Sequence, residues 1–295
     1  MNEREIYMFS IITVPFGWIL KVVYNLVNNY GVAIIIFTFL SKLVVLPFQM
    51  KSKKSMMDMQ RLQPRLAELE KKYKDNKEKY ALETQKLYKE EGVSLFGGCL
   101  PMLIMLPIMF GLYYVVREPL VHIFELSGEQ LMAIAEYLRA QGVAGIPETI
   151  LKTDYMLQIE VAKHVSNPAF SAEILKIAPS LANVDFTFLG IDLTQIPKFG
   201  LINWLWSIPI LSGVTAWLSG WLMRKQQGGK VTEQQQTTNS MMNFMMPAMS
   251  VWIAFMVPAG LGLYWIVSNI LSAVQEPLLT LYYKKKAEKK ASEGK

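Results

Sequence analysis

The sequence is poor in the residues on which most site chemistry depends. It has one cysteine, Cys99, and two histidines, His122 and His164, in 295 residues. A single cysteine excludes an intrachain disulfide and a cysteine-built metal cluster. The histidines lie far apart in sequence and match no metal-ligand spacing, so each is expected to be a surface or packed residue. There is no Walker-type phosphate loop, no G-x-S-x-G turn and no H-E-x-x-H helix. No cofactor is expected, and the chain is not expected to be an enzyme. The opening residues MNEREIY set Arg4 between Glu3 and Glu5. The basic start of a secretory signal is therefore missing, as are a small-x-small cleavage site and an early cysteine for a lipid.

What the chain has in excess is apolar residues. They make up 52% of it, at a mean hydropathy of +0.24. An ordinary soluble domain has about 45–50% with glycine included. The excess is gathered into blocks of about twenty residues, the length a helix needs to cross about 30 Å of hydrocarbon. These blocks predict an all-α polytopic membrane protein.

The central block is Gly31 to Phe48, GVAIIIFTFLSKLVVLPF, which holds one full charge, Lys42. A lysine at a helix centre in the bilayer costs roughly 2.5–3.5 kcal/mol. It is retained where it reaches an interface, finds a partner or performs a function. Lys42 stands about 9 Å of helix before Phe48, so snorkelling to the interface and a working role are both open at this point.

Residues 1–30 form an N-terminal segment whose stretch Met8 to Asn29 should be broken by Pro15 and Gly17. Lys21, Asn25, Asn28 and Asn29 fall on one helical face, with Trp18 and Tyr24 suited to headgroup depth. This pattern predicts an amphipathic interfacial helix, with a spanning helix as the alternative. Residues 31–48 are the first span, ended by Pro47. Residues 49–94 turn abruptly charged. Met59, Leu62, Leu66, Leu69 and Tyr73 recur at alternating steps of three and four, an a/d seam. Asp75-Asn76 is a turn signal, and Tyr80 and Leu87 carry a weaker seam onward. The spacing predicts an α-helical hairpin, with Pro64 kinking its first arm or ending that arm's first segment.

Residues 95–116 are the second span, irregular at Pro101 and Pro107 and supplied with Gly97, Gly98 and Gly111 for close helix approach. Residues 117–200 form a long loop, helical at Leu131 to Ala140 and Thr153 to Val165, with a third helix within Phe170 to Ala182. Residues 201–223 are the third span, with Trp204, Trp206 and Trp221 as an aromatic belt. Residues 224–240 are a polar loop. Residues 241–257 are the methionine-rich fourth span and residues 260–283 the fifth. Residues 284–295 are a basic tail.

Charge sets the orientation. Lys51 to Glu91 has 12 Lys/Arg and 8 Asp/Glu, Arg224 to Ser240 has 3 and 1, and Lys284 to Lys295 has 6 and 2. The loop 117–200 has 6 and 10. Five spans place the three basic segments on one side, which the positive-inside rule makes the cytoplasm. A multi-pass protein of the cell membrane is expected, with its N-terminus outside and its C-terminus in the cytoplasm.

With the spans ordered, five blocks can be compared with known proteins: GVAIIIFTFLSKLVVLPF, MDMQRLQPRLAELEKKYKDNKEKYALETQKLYKEEGV, GGCLPMLIMLPIMFGLYYVV, IPILSGVTAWLSGWLM and PAGLGLYWIVSN. Together they resemble the YidC/Oxa1/Alb3 family of membrane protein insertases, in the shorter form of Gram-positive bacteria, over about Phe16 to Tyr283. The resemblance implies five transmembrane helices around a hydrophilic groove open to the cytoplasm and to lipid, with the hairpin on the cytoplasmic side. Its groove cation, usually an arginine, maps onto Lys42. Met105 stands where a glutamine is frequent, and Ser94-Leu95 where Asn-Pro is common. The implied activity is insertion and folding of newly made client membrane proteins.

Polar residues placed to line such a groove with Lys42 are Thr38, Ser41, Ser207, Thr215, Asn243, Asn269 and Gln275, with Trp265 facing client or lipid. Each polar residue alone is more often a helix-packing hydrogen bond, and Trp265 equally suits an aromatic belt. Recruitment is expected at Lys51, Lys53, Lys54, Arg61, Arg65, Lys71, Lys72, Lys284, Lys285 and Lys286, whose charge suits ribosomal RNA on the ribosome, the Sec translocon or anionic lipid. The basic tail is equally a plain topology signal. The competing functions are a transporter or channel with Lys42 in its pathway, which a detectable internal repeat would favour, and a scaffold that inserts nothing.

Overall fold

The computed structural model describes residues 3–93, 110–111, 113–146, 155–165, 167–182, 184–200, 202–226 and 245–293. Most of the expected second span, with Cys99, Met105 and Ser94-Leu95, lies outside the described residues. So do residues 227–244, which include Asn243. The helices are α1 (Glu3–Val27), α2 (Tyr30–Lys72), α3 (Lys77–Glu90), α4 (113–117), α5 (Pro119–His122), α6 (Gly128–Ala140), α7 (Tyr155–Val165), α8 (Ser171–Ile177), α9 (Ser207–Gln226), α10 (Met245–Ala254) and α11 (Ala259–Glu293). Two short strands, β1 (Thr187–Phe188) and β2 (Ile191–Asp192), form an antiparallel hairpin. Two of the described helical stretches, α2 and Trp204–Lys225, are long and apolar enough to cross a membrane. The 35-residue α11 has the length but carries Asn269, Ser272, Gln275 and Glu276 in its apolar half.

The chain divides into two compact units. The first contains residues up to Ser41, Pro107–Ser212 and Ser250–Ser268. Its α1 ends at Asn28, whose φ of 50° is a left-handed conformation that asparagine tolerates. Asn29 then caps α2, its Oδ1 accepting from the Val32 amide at 3.1 Å. The expected break at Pro15 and Gly17 is absent: α1 runs through both. Proline removes one amide bond from a helix interior, and burial of Phe16, Leu20, Val23 and Tyr24 on the following turns holds the helix past that loss.

The start of α2 is clasped by the segment 185–195. The Tyr30 amide donates to the Asp185 carbonyl at 3.0 Å. The Asn29 amide group donates to the Asp185 carboxylate and the Thr187 carbonyl, each at 2.8 Å. The same segment receives α11, because the Ala259 and Gly260 amides donate to the carbonyls of Gln195 and Leu193, each at 2.9 Å. Helix amides that would otherwise lack partners are thus satisfied at both helix starts. Tyr24, Phe124, Phe186 and Tyr30 fill the space between in a chain of edge-to-face rings. Beyond them α6, α7 and α8 pack on one another around Ile134, Leu138, Leu157 and Ile174. A Ser127–Gln130 capping box starts α6.

The second unit contains Lys42–Leu106, Gly213–Met249 and the chain from Asn269 onward. Here α2 continues past Pro47 and Pro64 to Lys72, so neither proline ends the helix. Tertiary contacts on both sides of each proline outweigh the lost amide bond: Lys42 and Gln49 about Pro47, Leu62 and Leu66 about Pro64. Asn76 caps α3 by accepting from the Lys79 amide at 2.9 Å. Leu62 and Leu66 then share a buried cluster with Leu87 and Tyr88. Tyr88 joins the expected Leu87 in this cluster, and Tyr80 is half-buried. Glu91, just after α3, takes Arg61 at 3.0 Å and Arg65.

Two expectations follow. A Cβ on Gly31 would meet Phe188 Cγ at 2.3 Å, so Gly31→Ala should destabilise the protein by about 1–3 kcal/mol, the usual scale of overpacking. The loss should be smaller in a Phe188→Ala background, as read by unfolding in detergent. His122 packs against Gly17, and burial pushes its imidazole down to about 4 from an ordinary 6.5. Between those values the unfolded chain binds the extra proton, so stability present above about 6.5 is lost as pH falls toward 4. The unfolding midpoint should drop over that window, and His122→Gln should flatten the drop.

Candidate functional site

The polar residues of the second unit converge where α2 lies beside α11. Lys42 Nζ donates to Ser272 Oγ at 2.7 Å and is half-buried. Two turns further along α2, Gln49 Oε1 accepts from the Gln275 amide. Lys53 Nζ meets Glu276 Oε2 at 2.6 Å, and the Met50 carbonyl accepts from the Tyr283 hydroxyl at 2.9 Å. Side-chain partners rise together from Lys42–Ser272 through Gln49–Gln275 to Lys53–Glu276, so α2 and α11 run parallel here. Lys42, Gln49 and Lys53 are spaced seven and four apart on one face of α2, and Ser272 and Glu276 four apart on one face of α11.

Each contact has a local cause. An ammonium has three N–H donors and no acceptor, so Lys42 in an apolar helix needs an oxygen, and a serine small enough for close helix approach supplies one. Among the described residues no carboxylate lies within ion-pair distance of Lys42. Lys53 differs. Its side chain is 9% exposed and that of Glu276 is 24% exposed, so the pair is held largely out of water. Asn269, one turn before Ser272, donates to Thr215 of α9 at 3.4 Å, at the long end for a hydrogen bond.

The structure thus brings Lys42, Thr215, Asn269 and Gln275 into one unit along α2, α9 and α11. Of the other expected residues, Thr38, Ser41, Ser207 and Trp265 belong to the first unit. Thr38 is 1% exposed and donates to its own helix at the Ile34 carbonyl, 2.6 Å away, so its hydroxyl is turned inward. Ser41 is equally buried, with no hydrogen-bond partner for its hydroxyl. Ser207 donates to the Trp204 carbonyl at the start of α9, and Trp265 is half-buried.

Lys51, Lys54, Arg61, Arg65, Lys71, Lys72, Lys284, Lys285 and Lys286 are exposed. Lys53 is not: burial against Glu276 removes it from the recruiting surface. Sequence reasoning missed Ser272, Gln49 and the Lys53–Glu276 pair. The available signal was the recurrence of Ser272, Gln275 and Glu276 within an otherwise apolar stretch. The arrangement can hold a cation and several amide groups in a largely apolar setting, where a second charge is felt more strongly than in water.

Residues 22–288 match the family model described as 60Kd inner membrane protein. The chain is 34% identical, over 85% of its length, to a membrane protein insertase YidC of Pelodictyon phaeoclathratiforme and covers 33% of that protein. It is 33% identical, over 90% of its length, to one of Chlorobium phaeovibrioides and covers 35% of it. The chain therefore spans about a third of the length of these two relatives. Against one of Caldanaerobacter subterraneus it is 30% identical, with 88% of this chain and 89% of that protein covered.

Breaking the Lys53–Glu276 pair from one side should be worse than removing both charges. Lys53→Met should cost about 1–3 kcal/mol, less than a fully buried pair because Glu276 keeps some solvent. Lys53→Met with Glu276→Leu should recover most of the loss. Unfolding midpoints of the two variants and the parent decide this.

Proposed function

The chain belongs to the 60Kd inner membrane protein family, and on that premise we propose that it is a membrane protein insertase, moving newly made client proteins into the bilayer. It has five spans, at residues 31–48, 95–116, 201–223, 241–257 and 260–283. The hairpin, the loop 224–240 and the tail face the cytoplasm, and the loop 117–200 lies outside. The parallel course of α2 and α11 supports this count, since the first and last of an odd number of spans must point the same way. Clustering of 21 of the 30 basic residues in the three cytoplasmic segments supports the orientation.

The observation that carries the mechanism is Lys42 on α2, bonded to Ser272 and flanked by Gln49 and Gln275. Insertion requires a client's polar flank to cross hydrocarbon, and a hydrated groove reaching partway into the bilayer shortens that path. The Lys42 ammonium attracts acidic residues of that flank, at a lower effective dielectric than water offers. No bond is made or broken. The client's apolar segment then leaves for lipid, driven by burial of its own apolar surface. The exposed lysines and arginines of the hairpin and tail bring the ribosome, the Sec translocon or anionic lipid to the cytoplasmic side. Lysine in this role is a compact point charge, where an arginine would present a planar fork.

Reconstitution tests the reading. Liposomes holding this protein should insert a short single-span client with an acidic flank. Lys42→Ala should lower that insertion about tenfold or more, as loss of a hydrogen bond to a charged group worth about 1.5–3 kcal/mol would. Lys42→Arg should restore it. Full insertion by Lys42→Ala would remove the role of the charge. Solute or ion flux without a client would replace the insertase reading by a transporter.

A further inference from the structure

Near the start of α9 the first unit displays large apolar side chains that no neighbour covers. Leu189 is 77% exposed, Phe199 66%, Ile202 85% and Trp204 65%. They are gathered, not scattered. The Trp204 indole donates to the Leu189 carbonyl at 3.2 Å, and the Trp206 indole to the Lys198 carbonyl at 3.1 Å. Phe199 meets Trp206 edge-on and stacks on Phe255 at 3.9 Å between ring centres.

We infer that this patch is a lipid-docking surface, seated at the headgroup boundary of the bilayer at the N-terminal end of α9. Three further features favour lipid over water or a protein partner. Lys198 is the one charged residue in 193–206, a cation suited to lipid phosphate. The patch continues onto Ile210 and Leu211, exposed on the first turns of a helix long and apolar enough to cross the membrane. The β1–β2 turn has positive φ at both central residues, Leu189 at 50° and Gly190 at 77°. Water-exposed turns of this kind favour Asn-Gly or Asp-Gly. A leucine held left-handed at the tip is sterically disfavoured, and lipid contact offsets that where water contact would not. With both indole N–H groups bonded within the protein, what Trp204 and Trp206 offer outward is ring carbon, matched to the apolar side of the interface.

The test places an environment-sensitive fluorophore on Leu189→Cys or Ile202→Cys in a Cys99→Ser background. The protein is reconstituted into vesicles of phosphatidylethanolamine and phosphatidylglycerol. Gln141→Cys, at an exposed position just after α6, is the reference. Acyl chains brominated near their headgroup end should quench the labels at 189 and 202 several-fold more than the label at 141. Aqueous iodide on both faces should do the reverse. Iodide quenching at 189 and 202 equal to that at 141 would overturn the inference, leaving the patch in water. Shielding from both quenchers would also overturn it, by showing a protein cover.

Discussion

An ammonium group in an apolar helix must find oxygen, and that requirement holds α2 against α11. Lys42 reaches Ser272, and about three turns on Lys53 reaches Glu276, with the Gln49–Gln275 contact between them. Removing the lysines would leave two long helices with little to fix their register. Hydrocarbon packing alone specifies register weakly, because lipid is as apolar as the side chains it competes with. The polar ladder is therefore the site of proposed chemistry and also the feature that sets which residues of the two helices face each other.

The starts of the same two helices are handled by different means. There the segment 185–195 supplies backbone carbonyls to the first amides of α2 and α11, and aromatic rings fill the space between. Backbone bonds of this kind do not depend on side-chain identity, which suits a junction whose task is closure. The ladder depends entirely on side-chain identity. A membrane insertase of the proposed kind needs that contrast: one end fixed, the other chemically addressable.

Much of this was legible from periodicity. The a/d seam from Met59 to Tyr73 anticipated the cluster of Leu62 and Leu66 with Leu87, and the apolar spacing in 131–140 and 153–165 anticipated α6 and α7. Lys42 stood out as a charge in an apolar run. The failures have a common origin. Pro15, Pro47 and Pro64 fall under the local rule for proline, yet burial after Pro15 and contacts on both flanks of Pro47 and Pro64 carry the helices through. Ser272 lies 230 residues from Lys42, and no local pattern reports a pairing across that distance. Lys53 sits in a basic run and reads as solvated, because the acid that buries it belongs to another helix.

The unbroken passage of α2 through its prolines has a mechanical consequence. From Lys42 to Lys72 the backbone is one helix of about 45 Å at 1.5 Å per residue. The buried cluster of Leu62, Leu66, Leu87 and Tyr88 clamps α3 onto the far end of that length. A force on the exposed lysines of the hairpin's first arm acts on the same continuous helix that carries Lys42. The exposed lysines of that arm and the cation in the apolar run are two points on one helix.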